Sequence, residues 1–314
     1  MLGLIQVIQS PKALENVFIS ISMSHPINHP HTSILVPALS LLGAMISLCV
    51  GTSFAKTLFS EVGAAGTTTY RLVLGALILV IWQRPWRWPL SLTAAYRIFF
   101  YAASLGLMNL VFYLSLRTLP LGVSIALELA GPLTLSIVLS RKPIDFLWII
   151  LAVIGLSLLL PLTDFSKPLD PLGAFYALAG GMFWVLYILF GKRLGGLPAG
   201  QSTSLGLVMA ALCVLPFGIA EAGTKLLDPI YIAAGLGVGI LSSALPYSLE
   251  MIALKGLPAK TFGMMLSMEP AIGALAAALI LHEQLSLTQW LAILFIICAA
   301  AGCAATANQV KKSN

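Results

Sequence analysis

Charged residues are scarce in this sequence. They make up 9% of its 314 residues, whereas 59% of the residues are hydrophobic. Soluble domains carry about 25% charged residues, so a chain with so few cannot surround its apolar residues with a wettable surface. The mean hydropathy of +0.98 suits lipid instead. The alternation of apolar and polar residues that a membrane barrel requires is also absent. We therefore expect an all-α integral membrane protein.

Reactive and metal-binding motifs are scarce as well. No phosphate loop, Ser-His-Asp set or metalloprotease helix occurs. All four cysteines lie in apolar segments without metal-ligand spacing, as small core residues do: Cys49, Cys213, Cys298 and Cys303. His25, His29 and His31 stand among prolines, where an irregular polar lead-in is expected and metal binding is the alternative. The net charge of +6 is spread over the connections and forms no patch for a nucleic acid.

Ten apolar segments follow residue 33, each long enough for one crossing at about 20 residues. We expect spans at 34–54, 64–82, 97–116, 121–140, 144–162, 172–190, 202–221, 230–250, 260–281 and 288–307. Twelve of the seventeen Lys and Arg residues fall in connections on one side and four on the other, which predicts that both termini are cytoplasmic. Residues 1–33 lack the features of a signal peptide. They are expected to be a disordered or interfacial lead-in, or an over-extended start preceding Met23.

The chain also contains an internal repeat. At an offset of 138 residues, Arg117, Leu119, Pro120 and Pro132 fall on Lys255, Leu257, Pro258 and Pro270. Other spans match at offsets of 135, 136 and 142, which indicates a duplication. We expect a first repeat at 34–162, a linker at 163–171, a second repeat at 172–307 and a tail at 308–314. Because five spans are an odd number, the second repeat enters from the opposite face, as in alternating-access transporters.

Ionisable residues inside the spans are the main site candidates. Arg71 and Glu128 both lie about 10 Å below the outer surface, so we expect them to pair or approach each other, for structural reasons or for gating and substrate binding. Glu269 lies near the midplane and is the first candidate for a proton-carrying carboxylate, with a packing hydrogen bond as the alternative. Pro132 and Pro270 are expected to break the helices beside these acids.

Other polar and aromatic residues are expected around the same cavity. Asn109 and Tyr113 lie near the middle of span three, where helix packing is the alternative to ligand binding. Trp184, Tyr187 and Tyr247 are candidates that membrane interfaces also explain. Glu250 falls near the predicted end of span eight, where we expect a solvated interfacial acid, with a role in the site as the alternative.

Five strings carry a resemblance to a known family: Met108–Leu116, Leu121–Pro132, Arg141–Phe146, Ala244–Leu254 and Thr261–Pro270. Together with the ten-span pattern, they resemble the EamA branch of the drug/metabolite transporter superfamily, and within it the amino-acid exporters of the threonine and homoserine type. The resemblance covers residues 34–307. It implies efflux of small neutral amino acids across the bacterial inner membrane, driven by protons and without a bound cofactor.

Three other functions remain open at this point. The first is export of another metabolite or drug, or import. The second is a membrane-embedded enzyme acting on a lipid, although no polar catalytic cluster is visible at the interface. The third is a structural membrane subunit, which has no need of buried acids in duplicated helices.

Overall fold

The computed structural model describes residues 34–119, 121–159, 170–280 and 286–313. This part of the chain is helical throughout, and no strand occurs in it. The lead-in at 1–33 with its histidines, Pro120 and all but the last two residues of the expected 163–171 linker lie outside the described residues.

The described α-helices are numbered here in chain order. They are α1 (Leu35–Gln83), α2 (Leu92–Ser115), α3 (Leu121–Leu139), α4 (Pro143–Leu159), α5 (Pro171–Lys192), α6 (Ala199–Ala222), α7 (Pro229–Gly239), α8 (Leu245–Gly256), α9 (Ala259–Leu266), α10 (Glu269–Ile280) and α11 (Leu287–Ser313). A π turn at Ile240–Ala244 joins α7 to α8, so these two form one membrane-length unit.

Helix α1 contains a sharp break. Its 49 residues would span about 74 Å as one straight helix, far more than the ~30 Å core of a bilayer. The break lies at Gly63, whose φ of 74° and ψ of −178° only glycine adopts without strain. The carboxylate of Glu221 accepts hydrogen bonds from the backbone amides of Ala65 and Gly66, just beyond the break. Helix α1 contains two candidate spans, Leu35–Thr52 and Leu58–Gln83, and the break at Gly63 falls near the start of the second.

Within the described residues, seven helical segments are long and apolar enough to cross a membrane. Two shorter apolar helices, Val123–Leu139 and Pro143–Leu159, follow α2. The segment predicted as span nine is interrupted between α9 and α10. The chain is thus an all-helical, multi-pass membrane protein, and the count of ten spans stays a prediction.

The distribution of side chains is the reverse of that in a soluble protein. Large apolar residues face outward, as Leu92 (81% exposed) and Ile81 (70% exposed) do. Polar and charged residues lie inside, including Arg71 at 5% and Gln201 at 1% exposed. Such an arrangement is stable where the surrounding solvent is lipid, because buried polar groups then bond to one another.

Glycine allows α3 and α5 to touch along their backbones. A Cβ on Gly131 would lie 2.1 Å from the carbonyl oxygen of Gly181, and a Cβ on Gly181 would lie 2.5 Å from that of Glu128. Small residues of this kind let membrane helices pack closely.

We expect Gly131→Ala to separate α3 from α5 and to lower the apparent melting temperature in detergent by several degrees, as overpacking of about 1–3 kcal/mol implies. Gly237→Ala is the control, because nothing lies within 4 Å of a Cβ at that helical position. Melting monitored by size-exclusion chromatography measures both variants. Equal melting temperatures for the two would contradict the close packing of α3 and α5.

Candidate functional site

Arg71 lies on the second half of α1 and is buried among neutral acceptors. Its Nη1 donates to the Tyr113 hydroxyl at 2.7 Å and its Nη2 to the backbone carbonyl of Ser242 at 2.8 Å. Its Nε lies 3.3 Å from Oγ of Ser243. The guanidinium carbon also stands 5.7 Å from the centre of the Tyr113 ring. No carboxylate of the described residues contacts this cation, so its charge has no counter-ion in its immediate shell.

Asn109 and Tyr247 extend this arrangement. The Tyr247 hydroxyl lies 3.5 Å from Nη2 of Arg71, 3.0 Å from Nδ2 of Asn109 and 3.2 Å from its Oδ1. The Asn109 amide also donates to the carbonyl of Leu105, one turn earlier on α2. Four residues proposed from the sequence, Arg71, Asn109, Tyr113 and Tyr247, thus form one hydrogen-bonded cluster between α1, α2 and α8.

A second polar group lies on the same face of α8. Oε2 of Glu250 accepts a hydrogen bond of 2.8 Å from the Tyr187 hydroxyl, and Glu250 is only 6% exposed. The expected solvated interfacial acid is therefore wrong for Glu250. The ring of Tyr101 stacks on that of Tyr187 with centroids 5.0 Å apart. The Tyr101 hydroxyl is buried and makes no hydrogen bond with another described residue.

Glu128 is buried on α3 but does not pair with Arg71. Both ion pairs of the described part lie elsewhere, near helix ends, so Arg71 and Glu128 do not form an ion pair, although the charge of Arg71 acts on Glu128. Gly180 on α5 makes room for this acid, since a Cβ there would lie 3.0 Å from Oε1 of Glu128. Trp184 is buried one turn further along α5. It makes no hydrogen bond or ring contact with any other described site candidate.

Glu269 and Pro270 begin a new helix. Helix α9 ends at Leu266, and α10 starts at Glu269 with this acid in its first turn. A carboxylate in this position interacts favourably with the positive end of the helix dipole. Helix α3, in contrast, runs through Pro132 without ending there. The two prolines thus have different effects on their helices, although the repeat aligns them.

These ionisable groups act on one another electrostatically. The charge of Arg71 reaches Glu128, Glu250 and Glu269, and Glu269 also acts on Glu128. If all three acids were ionised, their negative charge would exceed the single positive charge of Arg71 in an apolar interior. Such a site favours the uptake of protons or of a cationic group, because either one neutralises the buried charge.

Several contributors to the site were not found from the sequence. Ser242 and Ser243 contact Arg71 through a backbone carbonyl and a hydroxyl, and Tyr101 lies beside Tyr187. Pro246 could have indicated the contact at Ser242. Proline removes a backbone donor and leaves the carbonyl one turn earlier in need of another hydrogen-bond partner. No group of three His, Cys, Asp or Glu side chains in the described part is arranged to hold a metal ion.

A multi-pass helical bundle with charged side chains buried between its helices is typical of membrane transporters. Residues 171–304 match the sequence model of the EamA-like transporter family. The chain is 45% identical over 277 residues to the threonine/homoserine exporter RhtA of Escherichia coli (strain K12), an alignment covering 88% of this chain and 94% of the relative. The chain belongs to the EamA-like transporter family.

Other relatives agree with this membership. The threonine/homoserine exporter RhtA of Salmonella typhimurium (strain LT2) is 46% identical over 267 residues, which cover 85% of this chain and 90% of the relative. A solved crystal structure matches with a TM-score of 0.70 at 17% identity, over 87% of this chain and 98% of that chain. At this identity the structural match establishes the fold alone.

Proposed function

We propose that this protein exports small neutral amino acids of the threonine and homoserine type across the bacterial inner membrane, in exchange for protons. The observation that carries the proposal is the buried site, in which a guanidinium without a contacting counter-ion lies within electrostatic range of three carboxylates. This arrangement complements a zwitterion. The names of the relatives narrow the zwitterion to threonine and homoserine.

The substrate carboxylate is assigned to Arg71. The guanidinium is held by neutral acceptors that a carboxylate outcompetes, because a carboxylate adds charge–charge attraction and can accept two parallel hydrogen bonds from the planar guanidinium. Asn109, Tyr113 and Tyr247 supply further donors at the same place. A small substrate bound there is oriented by its carboxylate, with its side chain toward the helices around Arg71.

The substrate ammonium and the proton are assigned to the carboxylates. An ammonium group and a proton each neutralise one buried negative charge, so they compete for the same acids. Glu128 and Glu269 are the proposed exchange groups, since each acts electrostatically on the other and neither has an ion pair among the described residues. Protonation from the outside then releases the ammonium group there, which gives export driven by the proton gradient.

The two inverted five-span repeats are part of this proposal, and helix packing supports them. A Cβ on Gly106 of α2 would lie 3.0 Å from the carbonyl oxygen of Ala210 of α6, and a Cβ on Gly75 of α1 would lie 2.9 Å from Cβ of Ser243. In the repeat, Gly75 aligns with Ala210 at an offset of 135 residues. Gly106 aligns with Ala244 at an offset of 138 residues, and Ser243 is the neighbour of Ala244. The two contacts are therefore related as a two-fold axis requires.

The arrangement in the membrane follows the distribution of basic residues. The bias of twelve Lys and Arg residues against four supports an orientation with both termini in the cytoplasm. With this orientation, Arg117 and Glu221, which form an ion pair of 2.6 Å, lie at the outer end of the bundle. Lys260 and Asp145, paired at 2.8 Å, lie at the inner end. Since the family is one of transporters, the alternative of a lipid-modifying enzyme is set aside.

Transport in proteoliposomes tests the proposal. Vesicles are loaded with labelled threonine, and efflux is followed with and without an imposed proton gradient. We expect efflux to accelerate when the gradient drives protons inward against the amino acid. Efflux that ignores the gradient contradicts proton coupling. No efflux of threonine, homoserine or other neutral amino acids contradicts the substrate class and favours an exporter of another metabolite.

A further inference from the structure

The π turn between α7 and α8 has a specific chemical cause. The amide of Leu245 donates to the carbonyl of Ile240, five residues earlier. Pro246 follows and has no N–H, so it leaves one carbonyl without a backbone donor in either helical register. In the π register this carbonyl belongs to Leu241, and in the α register it belongs to Ser242. Such π turns are rare and frequently lie at functional sites.

Both of these carbonyls accept hydrogen bonds from side chains in the first half of the chain. Oγ of Ser47 donates to the carbonyl of Leu241 at 2.7 Å, and Nη2 of Arg71 donates to that of Ser242 at 2.8 Å. Ser47 is buried, at 7% exposed. The π turn is therefore fixed by two hydrogen bonds that originate outside its own helix.

Two glycines bring the same turn close to α1. A Cβ on Gly51 would lie 2.6 Å from the backbone nitrogen of Ser242, and one on Gly75 would lie 3.1 Å from the carbonyl oxygen of Gly239. The turn thus packs directly against both halves of α1. One of these halves carries Ser47 and the other carries Arg71.

We propose that Ser47 is a positioning residue that acts on Arg71 through the π turn, and that a substrate carboxylate releases this turn by displacing the Ser242 carbonyl from Arg71. The inference rests on the proposed function, in which Arg71 binds the carboxylate. Ser47 fixes the Leu241 carbonyl, and this sets where the Ser242 carbonyl meets the guanidinium. Without Ser47, Arg71 is held less firmly in the orientation that receives the substrate.

Release of the turn changes the rest of the site. Tyr247 and Glu250 follow Ala244 by three and six residues on the same helix. If the π turn becomes α-helical and its extra residue shifts toward the C-terminal end of α8, both side chains rotate about the helix axis by about 100°. They then leave Asn109 and Tyr187, their present hydrogen-bond partners. Binding at Arg71 is in this way transmitted to Glu250, a buried acid to which the exchange step assigns no role.

Binding measurements on Ser47→Ala test the positioning role. Threonine and threonine methyl ester are titrated into the protein in lipid nanodiscs, because the ester keeps the ammonium group but lacks the carboxylate charge. We expect the Kd for threonine to rise about tenfold, the effect of weakening one hydrogen bond to a charged group, while the Kd for the ester stays unchanged. Ser104→Ala is the matched control, since Ser104 is as buried but bonds only within its own helix, to Phe100.

The possible outcomes separate this inference from the proposed function. Equal losses for threonine and the ester indicate a merely structural serine and overturn the positioning role, as does an unchanged Kd for threonine. If no neutral amino acid binds the unsubstituted protein, the proposed function fails and this inference fails with it.

Hydrogen exchange gives a second measurement that needs no variant. Saturating threonine should speed exchange of the amides between Ile240 and Leu245 by about tenfold or more, as expected when a hydrogen bond of the turn is lost. Unchanged exchange in this peptide, with threonine demonstrably bound, overturns release of the turn.

Discussion

Replacing Arg71 with glutamine should lower amino-acid export by at least about a hundredfold, because two charge-assisted hydrogen bonds of about 1.5–3 kcal/mol each are removed from the substrate site. Arg71 is buried, and its donors now meet only neutral oxygen atoms. Glutamine has an amide donor, but its side chain is shorter than that of arginine and carries no charge. The initial rate of threonine efflux from proteoliposomes, normalised to the amount of reconstituted protein, measures the effect.

Two companion variants make this result specific. Arg71→Lys retains the charge but not the planar fork of donors, so it should keep no more than about a tenth of the rate. Arg117→Gln removes an arginine from the exposed ion pair with Glu221 and should transport nearly normally, since such pairs contribute about 0–1 kcal/mol. Full transport by Arg71→Gln, or equal losses in the Arg71 and Arg117 variants, would show that Arg71 does not bind substrate.

The sequence supplied Arg71, Asn109, Tyr113 and Tyr247 as separate candidates for one cavity, but it did not predict that they contact one another. Asn109 and Tyr113 are four residues apart, so a helix places them on one face. An amide and a phenol in an apolar helix require polar partners, but the sequence does not say which residues those partners are. The structure joins all four residues through hydrogen bonds. Depth and helical spacing are properties of a single span, which is why one sequence reveals them.

The prediction for Glu250 was wrong because of a helix boundary. Span eight was expected to end at residue 250, but α8 continues to Gly256. This places Glu250 about one and a half turns inside the helix, beyond the reach of the interface. Apolar content alone does not locate the end of a helix to within a turn, and one turn decides whether an acid is solvated or bonded to Tyr187.

Arg71 and Glu128 were expected to pair or approach each other, and they interact electrostatically without forming an ion pair. Equal depth in the membrane does not fix the direction in which a side chain points around its helix. Glu128 faces Gly180 on α5, whereas Arg71 faces the hydroxyls of α2 and the π turn. These directions depend on how neighbouring helices pack, and packing depends on glycines such as Gly131 and Gly181 whose partners lie far away in the sequence.

The prolines show the same dependence on neighbours. Pro132 deprives the carbonyl of Glu128 of its helical donor, but Gly181 packs against that oxygen and α3 continues. At Pro270 the chain instead leaves helical structure after Leu266 and starts again at Glu269. Sequence alone predicts a missing hydrogen bond in both places. Whether the helix continues depends on what contacts the freed carbonyl.

Glu128→Gln should abolish proton-driven export while leaving the protein folded and inserted, with a loss of about a hundredfold or more. Glutamine is nearly isosteric and fits beside Gly180, so packing is preserved. It neither carries a proton nor attracts the substrate ammonium, and a buried charge pair is worth several kcal/mol. Efflux under a proton gradient measures the loss, and gel filtration confirms folding.

The control for Glu128 is an acid next to the break in α1. Glu61 is exposed and accepts a hydrogen bond of 2.9 Å from Tyr231, so Glu61→Gln should transport at the normal rate. A purely structural role for Glu128 would require an ion pair. Glu128 forms none with the described residues. Its carboxyl group is therefore available to the substrate or the proton, and this is why we expect its removal to stop transport without unfolding the protein. Full transport by Glu128→Gln would assign the exchange to Glu269 alone.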